Sequence, residues 1–378
     1  MKVPFLDLRA PYEELRTEVD AAVQRVLSSG WYLMGPELEA FEAEFAAWCG
    51  NAHCVAVGSG CDALELSLRA MGVGPGDEVI VPSHTFFASW AAVSRTGARP
   101  VPVEPDERTC TLDPARVEAA VTPRTKVIMP VHLYGHPADL PAVEEVAARH
   151  GLRVLQDAAQ AHGATGHGRR VGSRSPDSPG SPDSPGSTAA FSFYPGKNLG
   201  ALGDGGAVVT QDAELAERVR LLRNVGSREK YVHEVVALNS RLDETQAAVL
   251  RVKLTRLEEW NERRRAVAAR YLDELKGVGD LVLPDPAAWA EPVWHLFVVR
   301  TARRRELQER LAAAGIGTLV HYPVAVHRSP AYAGEGYAPG SLPLAERLAD
   351  EVLSLPMGPH LDARQVDAVI AATREACA

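Results

Sequence analysis

The sequence lacks several features that whole classes of protein require. Its 378 residues carry a formal net charge of −9 and no dense lysine or arginine tract, which argues against a basic nucleic-acid-binding face. No run of about 18 apolar residues occurs, so no membrane-spanning helix is expected. The first ten residues lack the apolar stretch of a secretory signal. We therefore expect a cytoplasmic protein that binds neither nucleic acid nor a membrane.

Cysteine is also scarce and irregularly spaced. The chain has five cysteines, an odd number, and none of them stands in the CxxC spacing of a zinc site. The twelve histidines likewise show no HExxH or comparable ligand spacing. These patterns predict a chain without disulfides, as is usual in a reducing compartment, and without a metal site.

What the sequence does contain is a regular alternation of strand and helix patterns. Helical segments such as Glu37–Trp48 and Asp139–His150 are each followed by a glycine that can end the helix. Short β-branched apolar runs occur at His53–Val57, Glu78–Val81, Lys126–Val131, Arg153–Gln156 and Gly206–Thr210. The alternation predicts an α/β fold with a mostly parallel sheet, in which ligands gather beyond the carboxyl ends of the strands.

The pattern changes after about residue 250. A long Arg/Glu-rich helix, Glu244–Lys276, leads into a smaller α+β segment with a strand at Trp294–Arg300 and helices at Arg304–Ala314 and Ala363–Cys377. The length exceeds what one hydrophobic core usually organises. We therefore predict a large domain of residues 1–250 and a smaller C-terminal domain of residues 251–378.

Three local features complete the description of the chain. SPDSPG at Ser175–Gly180 is repeated at Ser181–Gly186, and this density of proline and glycine predicts an exposed loop. A lid over the active site is the alternative for this segment, because it lies close to the glycine-rich region that follows. Trp31 and Trp294 are predicted to be core residues.

The most informative segment runs from Phe191 to Gly206. It holds Lys197 among aromatic residues and glycines, directly before an apolar strand. A lysine amine can form a Schiff base with an aldehyde cofactor, and a glycine-rich bend permits close approach of the cofactor. Taken alone, an exposed surface lysine is the alternative.

A second segment ends a predicted buried strand with Asp157. A buried carboxylate is costly unless a cation faces it. A protonated pyridine nitrogen is such a cation, and its proton makes pyridoxal phosphate an electron sink. The alternative is that Asp157 caps a following helix.

Two further segments are weaker signals. Val55–Leu64 is a strand, a glycine turn and an apolar helix, whose free N–H groups can bind an anion. The third glycine of the dinucleotide fingerprint is absent. Pro82–Ala88 places Phe86 after a strand, where an aromatic ring can stack on a flat cofactor, although core packing is the commoner role.

These four segments, in this order and together with Asn239–Asp243, resemble the DegT/DnrJ/EryC1/StrS family of sugar aminotransferases. The resemblance extends from Val3–Leu8 and Ser29–Gly35 to Val320–Pro323 and Leu353–Met357. It implies the type I aspartate-aminotransferase fold, with a large domain, a smaller C-terminal α+β domain and pyridoxal 5'-phosphate as cofactor. It also implies a homodimer in which the two subunits share their active sites.

The resemblance further implies roles for individual residues. Lys197 would form the Schiff base and move the proton, and Asp157 would face the pyridine nitrogen. The remaining cofactor contacts would be Gln160 near the ring hydroxyl, Phe86 stacked on the ring, Gly60, Cys61 and Ser192 around the phosphate, and Asn239 reaching that phosphate from the neighbouring subunit. Cys61 stands where threonine is common, which puts the side-chain contact to the phosphate in doubt. Candidate substrate contacts are Tyr32, His162, Tyr322 and His327, each with ordinary packing as its alternative.

The resemblance also implies a reaction. Lysine at position 197, where sugar-dehydrating relatives carry histidine, favours transamination. The ending Leu199–Gly206 is similar to that of enzymes acting on 3-keto sugars, and differs from the Gly-Glu-Gly-Gly ending typical of 4-keto enzymes. The implied reaction converts a dTDP-3-keto-6-deoxyhexose to its 3-amino derivative for an antibiotic sugar of the desosamine or mycaminose type, with L-glutamate as donor. A dTDP-4-keto substrate, a dehydratase using the same cofactor and a non-catalytic regulatory or binding protein of the same fold are the alternatives.

Overall fold

The computed structural model describes residues 1–173 and 188–378, so the SPDSPG repeat lies outside the described residues. Twelve strands occur in these two ranges, several of them very short. They are β1 His53–Val57, β2 Glu78–Pro82, β3 Arg99–Val103, β4 Thr125–Ile128, β5 Arg153–Asp157, β6 Thr165–Gly166, β7 Arg169–Arg170, β8 Thr188–Ser192, β9 Gly206–Thr210, β10 Ala290–Glu291, β11 Phe297–Arg300 and β12 Val352–Leu355.

The same two ranges contain thirteen α-helices. They are α1 Ala10–Glu14, α2 Arg16–Ser29, α3 Pro36–Cys49, α4 Gly60–Ala70, α5 Phe87–Arg95, α6 Pro114–Ala120, α7 Leu140–His150, α8 Ala213–Arg223, α9 Glu244–Leu254, α10 Leu257–Glu274, α11 Arg304–Ala313, α12 Pro343–Glu351 and α13 Ala363–Cys377. Gly50 and Gly151 end α3 and α7 in the left-handed conformation, as predicted. None of the helices in the described ranges is long and apolar enough to cross a bilayer.

Seven strands form the main sheet, in the order β1-β9-β8-β5-β4-β2-β3. Strand β9 runs antiparallel to both of its neighbours, and every other adjacent pair is parallel. The mostly parallel sheet predicted from the sequence is therefore confirmed. Helices α5, α6 and α7 lie in the connections that join β2, β3, β4 and β5, whereas the described part of the connection from β5 to β8 carries only the short strands β6 and β7.

The core lies on both faces of this sheet. Along β1, Val55 and Val57 belong to one apolar cluster, whereas Cys54 and Ala56 belong to another. Successive side chains of a strand point to opposite faces, so the two clusters lie on opposite sides of the sheet. The first contains buried residues of α4, α5 and α8, and the second contains buried residues of α3 and α9.

A separate apolar cluster organises the C-terminal part of the chain. It joins Tyr271 of α10, Phe297 of β11 and Ile370 of α13 around the antiparallel pair β11–β12. Val3, from the other end of the chain, packs into the same cluster, and its N–H donates to the Gly315 carbonyl at 2.9 Å. The N-terminal segment, which was predicted to belong to the large domain, therefore contacts the C-terminal cluster. The division into domains at residue 250 stays a prediction.

The single helix predicted over Glu244–Lys276 is wrong, because the chain forms two helices there, α9 and α10. The Oγ1 of Thr255 donates to the Val252 carbonyl at 2.7 Å, and the N–H of Thr255 also bonds to this carbonyl. A side-chain hydroxyl that competes for backbone acceptors favours a break in the helix. The predicted strand Lys126–Val131 also ends early, at Ile128, because Pro130 has no N–H to continue the ladder.

The two tryptophans predicted to be core residues differ in their environments. Trp294 is buried, as predicted. Trp31 is 58% exposed, so its assignment to the core is wrong. Its indole Nε1 donates to the Leu33 carbonyl at 2.8 Å, which fixes the ring without enclosing it. Amphipathic tryptophan can lie on a surface when its N–H has a partner.

Candidate active site

A cavity of about 720 Å³ lies at the carboxyl ends of the parallel strands. Strand β5 ends at Asp157 and β8 ends at Ser192, and both residues line the cavity. Carboxyl ends of parallel strands share one edge of a sheet, which is why segments distant in sequence meet there. Eight of the predicted site residues line this cavity: Gly60, Cys61, Phe86, Asp157, Gln160, Ser192, Lys197 and Tyr322.

Lys197 lies in the bend that follows β8. Its N–H donates to the Tyr194 carbonyl at 2.8 Å, and a Cβ at Gly200 would fall 2.3 Å from the Pro195 carbonyl oxygen. The tight bend therefore requires glycine at position 200. Burial lowers the pKa of Lys197 to about 8, although the charge of Asp157 acts in the opposite direction. A larger fraction of this amine is thus neutral near pH 7 than in an ordinary lysine, which makes it a better nucleophile.

Asp157 is 5% exposed, and its carboxylate accepts two hydrogen bonds. Oδ2 accepts from Ser89 Oγ at 2.7 Å and Oδ1 accepts from the Ala159 N–H at 3.2 Å. Burial raises the pKa of Asp157, and these two hydrogen bonds partly offset the rise. The residues after Asp157 form turns, so the helix-cap alternative is wrong. None of the ion pairs within the described ranges involves Asp157, so its carboxylate is available to a cationic ligand.

Gln160 is held in place by two hydrogen bonds. Its Oε1 accepts from the Tyr134 N–H at 2.7 Å, and its Nε2 donates to the Tyr322 hydroxyl at 3.0 Å. The ring of Tyr322 lies 5.2 Å from that of Phe86, centroid to centroid. Phe86 is 51% exposed, so its ring is available to a ligand in the cavity.

The N-terminus of α4 forms the opposite part of the cavity wall. Ser59 caps the helix by accepting from the Asp62 N–H at 3.1 Å. A Cβ at Gly60 would lie 2.5 Å from the Cβ of Ser192, so only glycine permits this serine to approach the helix end. The helix N-terminus, with its unpaired N–H groups and the Ser192 hydroxyl beside it, is suited to a phosphate. Burial raises the pKa of Cys61, so its side chain adds a neutral thiol.

Together these groups match pyridoxal phosphate part by part. The lysine amine is suited to an aldehyde, the buried carboxylate to a pyridinium nitrogen, the phenyl ring to stacking on an aromatic ring, and the helix end with Ser192 to a phosphate. In the part of the chain that the structure describes, no group of three or more His, Cys, Asp or Glu side chains is arranged to hold a metal ion.

The other four predicted site residues do not line the cavity. Tyr32 and Asn239 are exposed on the surface. His327 is buried and its Nε2 lies 2.9 Å from Glu346 Oε1. His162 is buried against the rings of Phe191 and Phe193, and burial lowers its pKa to about 3. Their proposed contacts with substrate or cofactor stay predictions.

Several residues of the site were not predicted from the sequence. Ser89 of α5 does not line the cavity, but it is fully buried and holds the Asp157 carboxylate from behind. Arg264 of α10 and His295 line the cavity from the C-terminal part of the chain. Their positions depend on how the C-terminal cluster packs against the main sheet, and no local pattern signals this.

Known proteins resemble this chain over nearly its whole length. The "Erythromycin biosynthesis sensory transduction protein EryC1" of Saccharopolyspora erythraea is 64% identical, covering 98% of each chain. The dTDP-3-amino-3,4,6-trideoxy-alpha-D-glucose transaminase of Streptomyces venezuelae is 63% identical over 99% of this chain and 96% of its own. A crystal structure of S. venezuelae DesV covers 99% of this chain and 98% of that one, at 63% identity and a TM-score of 0.95. Residues 13–374 match the model of the DegT/DnrJ/EryC1/StrS aminotransferase family, and the chain therefore belongs to this family of pyridoxal-phosphate-dependent enzymes.

Proposed function

We propose that this enzyme transfers the amino group of L-glutamate to carbon 3 of a dTDP-linked 3-keto-6-deoxyhexose. The observation that carries the proposal is the single cavity in which Lys197, Asp157 and the phosphate-binding helix end meet. The choice of sugar is supported by the S. venezuelae relative, which is named dTDP-3-amino-3,4,6-trideoxy-alpha-D-glucose transaminase. The ending Leu199–Gly206, similar to that of 3-keto enzymes, supports the same choice.

Lys197 performs the proton transfers in this proposal. Bound pyridoxal phosphate supplies an aldehyde carbon for bonding to amines and a ring that stores an electron pair. When the donor amine displaces Lys197, the Nζ of this lysine is a free base inside the cavity. It would take the proton from the donor α-carbon and pass it to the cofactor side, and in the second half-reaction it would move a proton in the reverse sense. Its lowered pKa suits both accepting and giving up the proton.

Asp157 and Gln160 set the charge and the orientation at the ring. The Asp157 carboxylate holds a proton on the pyridine nitrogen by pairing with its positive charge. Ser89 and the Ala159 N–H fix both carboxylate oxygens in position. The two hydrogen bonds of the Gln160 amide fix its orientation, and this side chain would contact the ring hydroxyl of the cofactor. Apolar side chains from the N-terminal segment, Phe5, Leu6 and Leu8, line the same cavity and limit the water inside it.

We further propose that the enzyme is a homodimer with shared active sites. Large apolar side chains are exposed at Trp31, Tyr32, Leu33, Val225, Tyr231, Val232, Val235 and Val236. Apolar surface of this extent is typical of a protein–protein interface. Asn239 follows Val236 closely in the chain. It is exposed and does not line the cavity of its own chain, so its side chain is available to the cavity of a partner.

The cytoplasm is the compartment that we propose for this reaction. All five cysteines are free, and four of them are buried. Free thiols persist in a reducing compartment. Cell fractionation of the producing organism, followed by immunodetection of the chain, tests this location.

A regulatory role is the alternative from a different class. The S. erythraea relative bears the name of a sensory transduction protein. A protein without catalytic function has no need for a lysine of lowered pKa facing a buried carboxylate in one cavity, and both are present here. We therefore propose catalysis.

Mass spectrometry of the product is the test of the proposed function. The purified enzyme, loaded with pyridoxal phosphate, is offered L-glutamate with either a dTDP-3-keto or a dTDP-4-keto 6-deoxyhexose. We expect an amino sugar from the 3-keto substrate and equimolar 2-oxoglutarate. Amination of only the 4-keto sugar would overturn the position of transfer, and loss of water without amination would identify a dehydratase.

A further inference from the structure

Arg264 is a buried cation without an acidic partner. Its side chain lies on α10 and the residue is 4% exposed. Nη1 donates to the carbonyl oxygens of Trp294, His295 and Met357 at 3.2, 3.4 and 3.5 Å. Among the ion pairs formed within residues 1–173 and 188–378, none involves Arg264. Burial lowers the pKa of Arg264 to about 10, and it is still charged at neutral pH.

The neighbouring arginines of α10 show that Arg264 is different. Arg263 pairs with Glu14 at 3.0 Å, and Arg265 pairs with Glu262 at 2.8 Å. Both of these side chains are partly exposed, and each has a carboxylate within reach. Arg264 points instead toward the interior, where it lines the cavity that also holds Lys197. A buried charge is costly when nothing of opposite sign meets it, so this guanidinium is suited to an anionic ligand.

The position of Arg264 decides which anion fits. The place proposed for the cofactor phosphate is the N-terminus of α4, where Gly60 and Ser192 lie close together. A nucleotide diphosphate carries a bulky group on each side, whereas a guanidinium on a residue that is only 4% exposed is best approached by the end of a ligand. A carboxylate at the end of a small amino acid has no such restriction, and guanidinium binds carboxylate with two parallel hydrogen bonds.

His295 also favours a carboxylate at this place. It lines the cavity beside Arg264, and its Nδ1 lies 3.2 Å from Asn198 Oδ1. Burial, together with the positive charges of Lys197 and Arg264, lowers the pKa of His295 well below its ordinary value. The imidazole is therefore neutral and adds no second charge. Arg264 is thus the cation that a carboxylate meets once its amino group has reached Lys197.

We propose that Arg264 binds the carboxylate of the amino-acid donor, and of the 2-oxo acid formed from it, while the donor amine is at Lys197. This inference rests on the proposed aminotransferase function and adds a residue that selects the donor. It assigns no role to Arg264 in binding the sugar nucleotide. Removing the guanidinium should therefore affect the first half-reaction and leave the affinity for the keto sugar unchanged.

Two measurements on the enzyme loaded with pyridoxal phosphate test the inference. The first follows the cofactor absorbance after adding donor without sugar. We expect Arg264→Gln to lower the efficiency with L-glutamate about 100-fold, and Arg264→Lys to lower it less, because a charge remains but the bidentate fork is lost. The second is equilibrium titration with glutarate, an unreactive dicarboxylate, whose Kd should rise by a similar factor. Arg265→Gln, one position along α10, is the matched control and should leave both values unchanged.

Three donors separate recognition from structural support. L-glutamate carries both carboxylates, L-2-aminobutyrate carries only the α-carboxylate, and 4-aminobutyrate carries only the distal one. Arg264→Gln should slow only the donors whose carboxylate contacts the guanidinium. If L-2-aminobutyrate is unaffected, Arg264 binds the distal carboxylate, and if 4-aminobutyrate is unaffected, it binds the α-carboxylate. An equal loss for all three donors would mean that Arg264 merely supports the carbonyls of Trp294, His295 and Met357, and would overturn the inference.

The same experiment separates failure of this inference from failure of the proposed function. If the wild-type enzyme converts its cofactor with none of the donors, the proposed function is wrong, and the inference falls with it. If the wild type reacts and Arg264→Gln reacts equally well with L-glutamate, only the inference is wrong. Should Arg264→Gln not fold, as judged by circular dichroism, Arg264→Lys with the three donors gives the same discrimination at a smaller amplitude.

Discussion

Lys197 and Asp157 are driven toward neutrality by the same cause, since burial lowers the pKa of the lysine and raises that of the aspartate. Desolvation disfavours whichever form carries a charge. The two side chains line one cavity, and each charge partly offsets the desolvation of the other. In the proposed roles, a cofactor with a cationic nitrogen and an aldehyde would use both side chains, because the Asp157 carboxylate would gain a cationic partner and the neutral Lys197 amine would gain a covalent bond.

Replacing Lys197 with alanine should abolish amino transfer and leave the fold intact. The amine is the only group assigned both to the covalent bond and to the proton transfer, so we expect a loss of at least about 1,000-fold in kcat. Borohydride treatment followed by peptide mass spectrometry should tag position 197 in the wild type and nothing in the variant. Lys276→Ala, an exposed lysine, is the control. A tag at another lysine would contradict the assignment.

The rate at which cofactor-free enzyme binds pyridoxal phosphate should follow the titration of Lys197. Its pKa of about 8 means that the amine is protonated below that pH and cannot attack the aldehyde. The rate constant should rise about tenfold per pH unit below pH 8 and become constant above it, whereas an ordinary lysine, with a pKa of about 10.4, would give a rise that continues. Stopped-flow absorbance measures this rate. A rate that still increases at about pH 9.5 would show that burial has not lowered the pKa.

At the scale of residues, the sequence allowed prediction of those groups that end a strand or follow it directly. Asp157 ends β5, and Lys197 lies in a bend whose glycines mark it in the sequence. Ser89, which donates to Asp157, and Arg264, which lines the cavity, were not predicted, because each meets the site through packing between elements. Their local sequence is that of an ordinary amphipathic helix.

At the scale of elements, one carboxylate joins two helices. Glu244, at the start of α9, is almost fully buried. Its Oε1 accepts from the N–H groups of Gly35 and Leu38 at 2.8 and 3.1 Å, and its Oε2 accepts from the Glu37 N–H at 2.8 Å. The first turn of α3 therefore has its free donors satisfied by a residue more than 200 positions away in the chain. The negative charge also interacts favourably with the N-terminal end of the α3 dipole.

Glu244→Ala should destabilise the protein by about 3 kcal/mol, because it leaves two buried N–H groups and one part-buried N–H group without acceptors. Glu244→Gln keeps one carbonyl oxygen and should cost less. Urea denaturation monitored by circular dichroism measures the free energy of unfolding. Glu39→Ala is the control, since Glu39 is exposed on the same helix, α3. An equal effect of the two alanine variants would show that the capping contacts contribute nothing.

The bounds of helices and strands were predicted well where a glycine, proline or capping residue marks the end of the element, and poorly elsewhere. The bounds of β1, β9 and α13 agree with the predictions, because glycine or aspartate marks a change of periodicity there. The separation of α9 from α10 has neither glycine nor proline to signal it, and depends on the hydroxyl of Thr255. The antiparallel direction of β9 was also not predicted. A fully buried strand is apolar throughout, so its sequence does not indicate its direction in the sheet.

At the scale of the whole molecule, mixing two inactive variants should restore activity if the subunits share their sites. A dimer of one Lys197→Ala subunit and one Asn239→Leu subunit has one site with both defects and one site with neither. Random association in a 1:1 mixture gives about half mixed dimers, and therefore about a quarter of the wild-type activity. Co-expression with two affinity tags isolates the mixed dimer for assay. If Lys197 and Asn239 serve the same subunit, activity stays at the average of the two variants.

The attachment of Val3 beside Gly315 determines when this enzyme becomes complete during its synthesis. The segment that carries Phe5, Leu6 and Leu8 to the cavity is translated before the backbone to which it binds, at Gly315 and Gly317. Early parts of a nascent chain fold before later parts exist, so the main sheet has time to assemble while this segment has no partner. The part of the cavity wall that this segment forms can therefore be completed only after Gly317 has been translated.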